Sequence, residues 1–193
     1  MTAPRLTAAL AFLAALAVTA AAAPVGYALQ ADKSVVAFET DYGDQGLTIR
    51  GRMPVLSADL SIDFDQVSNS HVAVAVDAAH ATTSNPLATA AMTGPSVLDT
   101  AAHPTIAFES TSVRRAGDGA EITGNLTLRG VTRPVTLNAV IYRQKGTAPG
   151  DRSNLSILLT GAISRSAFGA SGFAGQVGDE VRLKILARIT RGG

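Results

Sequence analysis

The sequence has no cysteine and no tryptophan. Without cysteine there is no disulfide framework, no thiolate metal site and no cysteine to carry a lipid. Aromatic residues make up only 5% of the chain, so any interior is built mainly from Ala, Val, Leu and Ile. The three histidines, His71, His80 and His103, do not fall at HxxxH spacing, and they read as surface or turn residues rather than metal ligands. There is no P-loop and no GxGxxG between a strand and a helix, and Gly94-Pro95-Ser96-Val97-Leu98 is not a nucleophile elbow. Ser, His and Asp occur without a spacing that picks out a triad. Asp59, Asp63 and Asp65 fall on the polar side of a strand pattern and read as solubility. No catalytic residue, metal ligand or cofactor is expected, and a formal charge of +1 gives nucleic acid nothing to hold.

What is present starts with the N-terminus. Arg5 is followed by an apolar run from Leu6 to about Val18 and then by small residues. That is the layout of a secretory signal peptide, and the run is short of the ~20 apolar residues that span a bilayer. Cleavage after Ala20-Ala21-Ala22 would leave Ala23 first. Residues 1–22 are therefore expected to be a signal peptide, 23–193 a single domain, and the mature protein periplasmic, with no stable membrane insertion after cleavage.

After Tyr27 the pattern has period two. Leu47, Ile49, Met53 and Val55 share a face, as do Leu60, Ile62 and Phe64; Val72, Val74 and Val76; Ile106 and Phe108; Ile122, Leu126 and Leu128. Val135, Leu137, Ala139 and Ile141 follow, then Leu155, Ile157, Leu159 and Ile163, and last Val181, Leu183, Ile185, Ala187 and Ile189. Side chains two apart share one side of a strand, so each segment has an apolar and a watery face. About eight or nine strands result, separated by turn residues such as Asp44-Gln45-Gly46, Gly117-Asp118-Gly119 and Pro149-Gly150-Asp151. Strands so numerous need their edges paired, and a sheet closed on itself does that. The fold expected is all-β, an antiparallel barrel with a short helical insertion. Arg129-Gly130-Val131-Thr132-Arg133 is expected to join two paired strands, with Gly130 at positive φ.

Two stretches break the alternation. From Thr82 to Pro104, Ser84 or Asn85 caps a short helix that starts at Pro86 and stops at Gly94-Pro95, with Leu87, Ala90, Ala91 and Met92 roughly on one face. It is either a lid over one mouth of the barrel or a plug that completes the core. From Ile163 to Val181, glycines at 169, 172, 175 and 178 suggest a mobile loop with Phe168 and Phe173 as apolar fingers, or a plain flexible hairpin end. Charge is also uneven: residues 24–109 hold 3 basic and 10 acidic side chains, and residues 110–193 hold 12 and 5. The halves either complement each other on the surface or leave a basic rim for an anion.

The run "GNLTLRGVTRPVTL" is similar to the G-x-LT-x-x-GVT-K/R-PV-x-L core of the YceI-like family, bacterial polyisoprenoid-binding proteins. "YALQADKSVVAF", "GRMPVLSADLSID", "SVLDTAAHPTIAFESTSV" and "ISRSAFG" resemble its flanking segments in order. The resemblance implies a lipocalin-like barrel whose apolar pocket takes an isoprenoid chain. The chain departs from it at Lys33, where many relatives have histidine, near Asp41-Tyr42, and at Ala88-Thr89-Ala90-Ala91-Met92, where the family has Arg-Asp-x-His-Leu. The expected function is carriage or sequestration of an isoprenoid, quinone or other long-chain amphiphile, without catalysis. Phe38, Phe64, Met92, Leu98, Phe108, Phe168 and Phe173 are the expected cavity residues. An enzyme acting on a bound lipid, a packed barrel with a structural role, an outer-membrane barrel and a homodimer remain alternatives.

Overall fold

The computed structural model describes residues 23–192 apart from 144, so the expected leader, residues 1–22, lies outside the described residues. The first two walls of the sheet are interrupted strands. β1 (Val25–Leu29) and β2 (Val35–Tyr42) are halves of one path, separated by a 3-10 turn over Ala31–Lys33. β3 (Leu47–Met53) and β4 (Val55–Ile62) are separated by Pro54 alone. Proline has no N–H for the ladder, so the path bends there. β2 pairs with β3 and β1 with β4, which makes the two broken paths one continuous hairpin.

The remaining walls follow in chain order: β5 (His71–Asp77), β7 (Thr105–Ala116), β8 (Gly119–Leu128), β9 (Val131–Arg143), β10 (Asn154–Ser164) and β11 (Val177–Arg191). Each is antiparallel to the next, and β11 returns to pair with both β2 (Ile185 to Val36) and β1 (Ile189 to Leu29). The result is a closed eight-walled antiparallel barrel. The alternation expected from the sequence holds along its walls. On β9, Val135, Leu137 and Ala139 are buried, while the alternate residues Thr136, Asn138 and Val140 are exposed.

The β8–β9 turn is tighter than the five residues expected. Leu128 pairs with Val131, leaving only Arg129 (φ 53°) and Gly130 (φ 72°) between the strands. Two successive positive φ values match the right-handed twist of a two-residue hairpin.

The insertion between β5 and β7 carries β6 (Thr82–Thr83), which pairs with Gly51 and Arg52 of β3, and helix α1 (Pro86–Thr93). Asn85 is the cap: its Oδ1 accepts from the Leu87 N–H at 2.8 Å. Pro86 then occupies the first turn, where its missing N–H costs nothing, and Gly94 closes the helix.

Two readings need correction. The 165–178 segment is tied down by Arg165, which is 7% exposed. Its Nε donates to the Gly178 carbonyl at 2.9 Å, Nη1 to Ala170 at 2.5 Å and Gly172 at 2.7 Å, and Nη2 to Val177 at 2.9 Å. The planar fork of arginine suits several carbonyls at once. Asp63 is likewise structural rather than solvated. It is 5% exposed and accepts from the N–H groups of Gln66 (2.7 Å) and Asp65 (2.9 Å) and from Asn69 Nδ2 (3.2 Å), organising the turn into β5.

The acidic and basic halves meet on the outer wall, where Arg182 of β11 binds Glu39 at 3.0 Å and Asp41 at 2.6 Å on β2. Both carboxyls are held below their usual range, chiefly by hydrogen bonds from Arg182.

Candidate functional site: an apolar cavity with one exposed rim

The inward faces do not meet in the middle. They enclose a cavity of ≈ 790 Å³, lined by residues of every wall. Along β11 the lining includes Val177 and then runs in regular register from Val181 to Ile189. About eight steps of ~3.3 Å, tilted ~40° to the axis, give a depth on the order of 20 Å. A volume of this size spread over that depth suits an extended chain rather than a compact ring system.

Two glycines help to keep the lumen open. Gly51 faces inward beside Phe38, and Gly124 beside Phe108; a Cβ on either residue would collide with the neighbouring phenyl ring. Each ring thus lies along the wall in space that an ordinary side chain would fill. Toward the far end the lining residue Phe64 packs on Tyr27 of β1. Their rings pack edge to face at 6.0 Å, Arg152 lies 4.7 Å over the Phe64 ring, and the Tyr27 hydroxyl donates to the Arg152 carbonyl at 2.9 Å. Burial raises the pKa of that phenol.

At the other end, four lining side chains are also open to water: Tyr42 (44% exposed), Leu47 (55%), Leu87 (81%) and Phe173 (49%). This is the mouth. Tyr42 and Leu47 are directly paired at the end of the β2–β3 hairpin, Leu87 comes from α1, and Phe173 from the loop pinned by Arg165. Thr48, Ser84, Asn85 and Gln176 line the same region.

Inside, the few polar side chains are already occupied. The Thr40 hydroxyl reaches the carbonyls of Gly178 (3.1 Å) and Glu180 (2.9 Å), and the Arg165 guanidinium reaches its four. Among the described residues no three His, Asp or Glu side chains gather as a metal site.

Of the residues singled out from the sequence, Phe38, Phe64, Met92, Leu98, Phe108 and Phe173 line the cavity. Phe168 does not: at 2% exposed it is one of the two largest fully buried side chains, in the same cluster as Leu98, Leu128 and Ala170. The helix face is also narrower than expected. Leu87, Ala88, Ala91 and Met92 line the cavity, while Ala90 is exposed. Sequence reasoning missed Arg165, whose role depends on carbonyls up to thirteen residues away. Of the rim it singled out Leu87, on the possible lid, and Phe173, as an apolar finger, but missed Tyr42 and Leu47, for which the sign was an inward alternation continuing on either side of the turn.

Fold and cavity together define a hollow antiparallel β-barrel with an apolar lumen. The chain belongs to the YceI-like family, whose domain model matches residues 27–189. It is 39% identical over 88 residues to a UPF0312 protein of Pseudomonas paraeruginosa and 41% identical over 88 residues to Protein YceI of Salmonella arizonae, in each case 46% of both chains. The chain thus spans about half the length of the curated relatives it matches. Among solved structures, Burkholderia cenocepacia BcnA superposes with a TM-score of 0.73 at 20% identity, covering 83% of this chain and 99% of that one. The Campylobacter jejuni YceI protein gives 0.58 at 21%, covering 73% and 84%. At these identities the likeness is one of fold.

Proposed function

We propose that this protein is exported to the periplasm and carries or sequesters a single long-chain amphiphile, of isoprenoid, quinone or similar type, with its chain in the barrel and its head at the mouth. The observation that carries this reading is the predominantly hydrocarbon lining of the ≈ 790 Å³ cavity, which reaches water at the rim of Tyr42, Leu47, Leu87 and Phe173. Each methylene moved from water into such a lining contributes about 0.8 kcal/mol. Ten of them give roughly 8 kcal/mol before the costs of association, the scale of a micromolar dissociation constant. Selection of the head falls to Thr48, Ser84 and Gln176, whose side chains make no hydrogen bond among the described residues, and to the Asn85 amide. Deeper in, the polar groups of Thr40 and Arg165 are engaged with backbone carbonyls, which supports binding rather than catalysis.

The test is extraction and mass spectrometry of protein purified without detergent from a periplasmic fraction, followed by displacement of a fluorescent fatty-acid probe. A stoichiometric long-chain lipid and probe displacement by it are expected. Protein that arrives empty and takes up neither isoprenoid, quinone nor acyl chain would remove the proposal.

A further inference from the structure

The rim of the mouth is a surface of its own. Among the described residues eight large apolar side chains are exposed, and four of them, Tyr42, Leu47, Leu87 and Phe173, converge on the opening from three separate segments of chain. The others, Val35, Leu56, Val140 and Tyr142, lie on outer strand faces. Isolated exposed apolar residues need no explanation, but a contiguous patch marks an interaction site.

We propose that this rim docks on a zwitterionic lipid bilayer, inserting Leu47, Leu87 and Phe173 among the outermost acyl segments, so that cargo passes between membrane and barrel without crossing water. The docking stands on the rim alone; the exchange of cargo there rests on the carrier reading.

Three observations favour a bilayer as occupant. The apolar surface of the rim continues into the cavity, so a docked mouth joins two hydrocarbon phases. Charge beside the rim is largely cancelled: Glu39 and Asp41 are paired with Arg182, and Glu39 also with Arg50. At the same end Asp44 and Asp99, and against them Arg129 and Arg133 beside the 165–178 loop, have no ion-pair partner among the described residues, so neither sign is in excess and a zwitterionic surface is the neutral match. Third is area: four side chains, three about half exposed and Leu87 81% exposed, present on the order of 400 Å². That falls short of the ~800 Å² per partner of a stable protein interface, but it suits shallow insertion, with an aromatic ring at the water boundary. Tyr42 has that amphipathic form.

The experiment is flotation of the purified protein with phosphatidylcholine vesicles, compared with Leu87→Asp and the double variant Leu47→Asp/Leu87→Asp. Leu87 is 81% exposed in the first turn of α1, where a carboxylate is favourable to the helix, so the single variant keeps its fold. Its melting temperature is measured alongside. Wild-type protein is expected to float, the single variant to partition at least 10-fold less, and the double variant to remain in solution. Wild type that stays in solution overturns the proposal, as does flotation that both variants share. A change in oligomeric mass on rim substitution, without vesicle binding, identifies a second copy as the occupant and overturns it equally. Wild type that binds a fatty-acid probe from solution but does not float defeats docking and leaves the carrier reading. Flotation without probe binding defeats the carrier reading and leaves docking.

Discussion

The phenyl ring of Phe108 occupies the place that a side chain on Gly124 would take: a Cβ at 124 would stand 2.5 Å from the Glu109 carbonyl oxygen and closer still to Phe108 Cζ. Phe108 is therefore a wall residue with one face on the cavity. Phe108→Ala opens two adjacent gaps in the wall rather than a new hole in a solid core. Its stability loss should fall below the ~3–5 kcal/mol typical of emptying a tight core, while affinity for a long-chain probe changes several-fold. Denaturant titration and probe displacement on the same pair of proteins measure both. A full core penalty with unaltered probe binding would contradict this placement.

Gly130 has φ 72°, and a Cβ there would approach His103 Cε1 at 3.0 Å. Gly130→Val meets both a backbone region unsuited to β-branched residues and a neighbour on the insertion. The expected loss is about 1 kcal/mol or more, read from the shift in denaturant midpoint. An unchanged midpoint would mean that the hairpin relaxes freely.

Arg165→Lys keeps the charge but replaces a four-carbonyl fork with a compact ammonium. Three ammonium N–H groups cannot serve four carbonyls, so at least one loses its donor, and about 1–3 kcal/mol of stability should go with it. Hydrogen exchange should report the loss first at 165–178. If the lysine variant is as stable as wild type, positive charge alone holds that loop.

How far all this was legible in the sequence differs between strands and loops. Alternation is a local signal with a fixed consequence, so the inward sets from Val72-Val74-Val76 to Val181-Ile189 could be read directly. Phe168 and Phe173 show the opposite case. They lie five residues apart in one glycine-rich segment, yet one is 2% exposed and the other 49%. Only the fold of the loop around Arg165 separates them, and that depends on hydrogen bonds invisible to a local pattern. The openness of the lumen was less legible: that Gly51 lies directly across the ladder from Phe38, and Gly124 against the ring of Phe108 on the diagonal, required the register.

Asp63 supplies a pH test. The Gln66 and Asp65 N–H groups and Asn69 favour its charged form over the opposing effect of burial, so its folded pKa lies below the ordinary 3.8. A depressed folded value means that the unfolded state takes up the proton first. The contribution is complete above about pH 4 and is lost as pH falls below it. Asp63→Asn should therefore flatten the fall in stability on acidification through that window, measured by urea midpoints at stepped pH. An acid limb as steep as that of wild type would show that Asp63 has no part in it.

The two ends of the folded barrel adjoin: the Gly192 N–H donates to the Gly26 carbonyl at 2.9 Å, beside the pairing of Val25 with Ile62. Both lie at the end marked by Tyr27 and Phe64, the whole length of β11 away from Phe173. The molecule thus has its handle and its port at opposite poles. A fusion partner, an affinity tag or a chemical tether joined just before Val25 or just after Gly192 would hold the protein by its base and leave the opening facing outward. Orientation on a sensor surface or beside a partner domain is then set by the topology of the chain, with no change to the residues that meet the ligand.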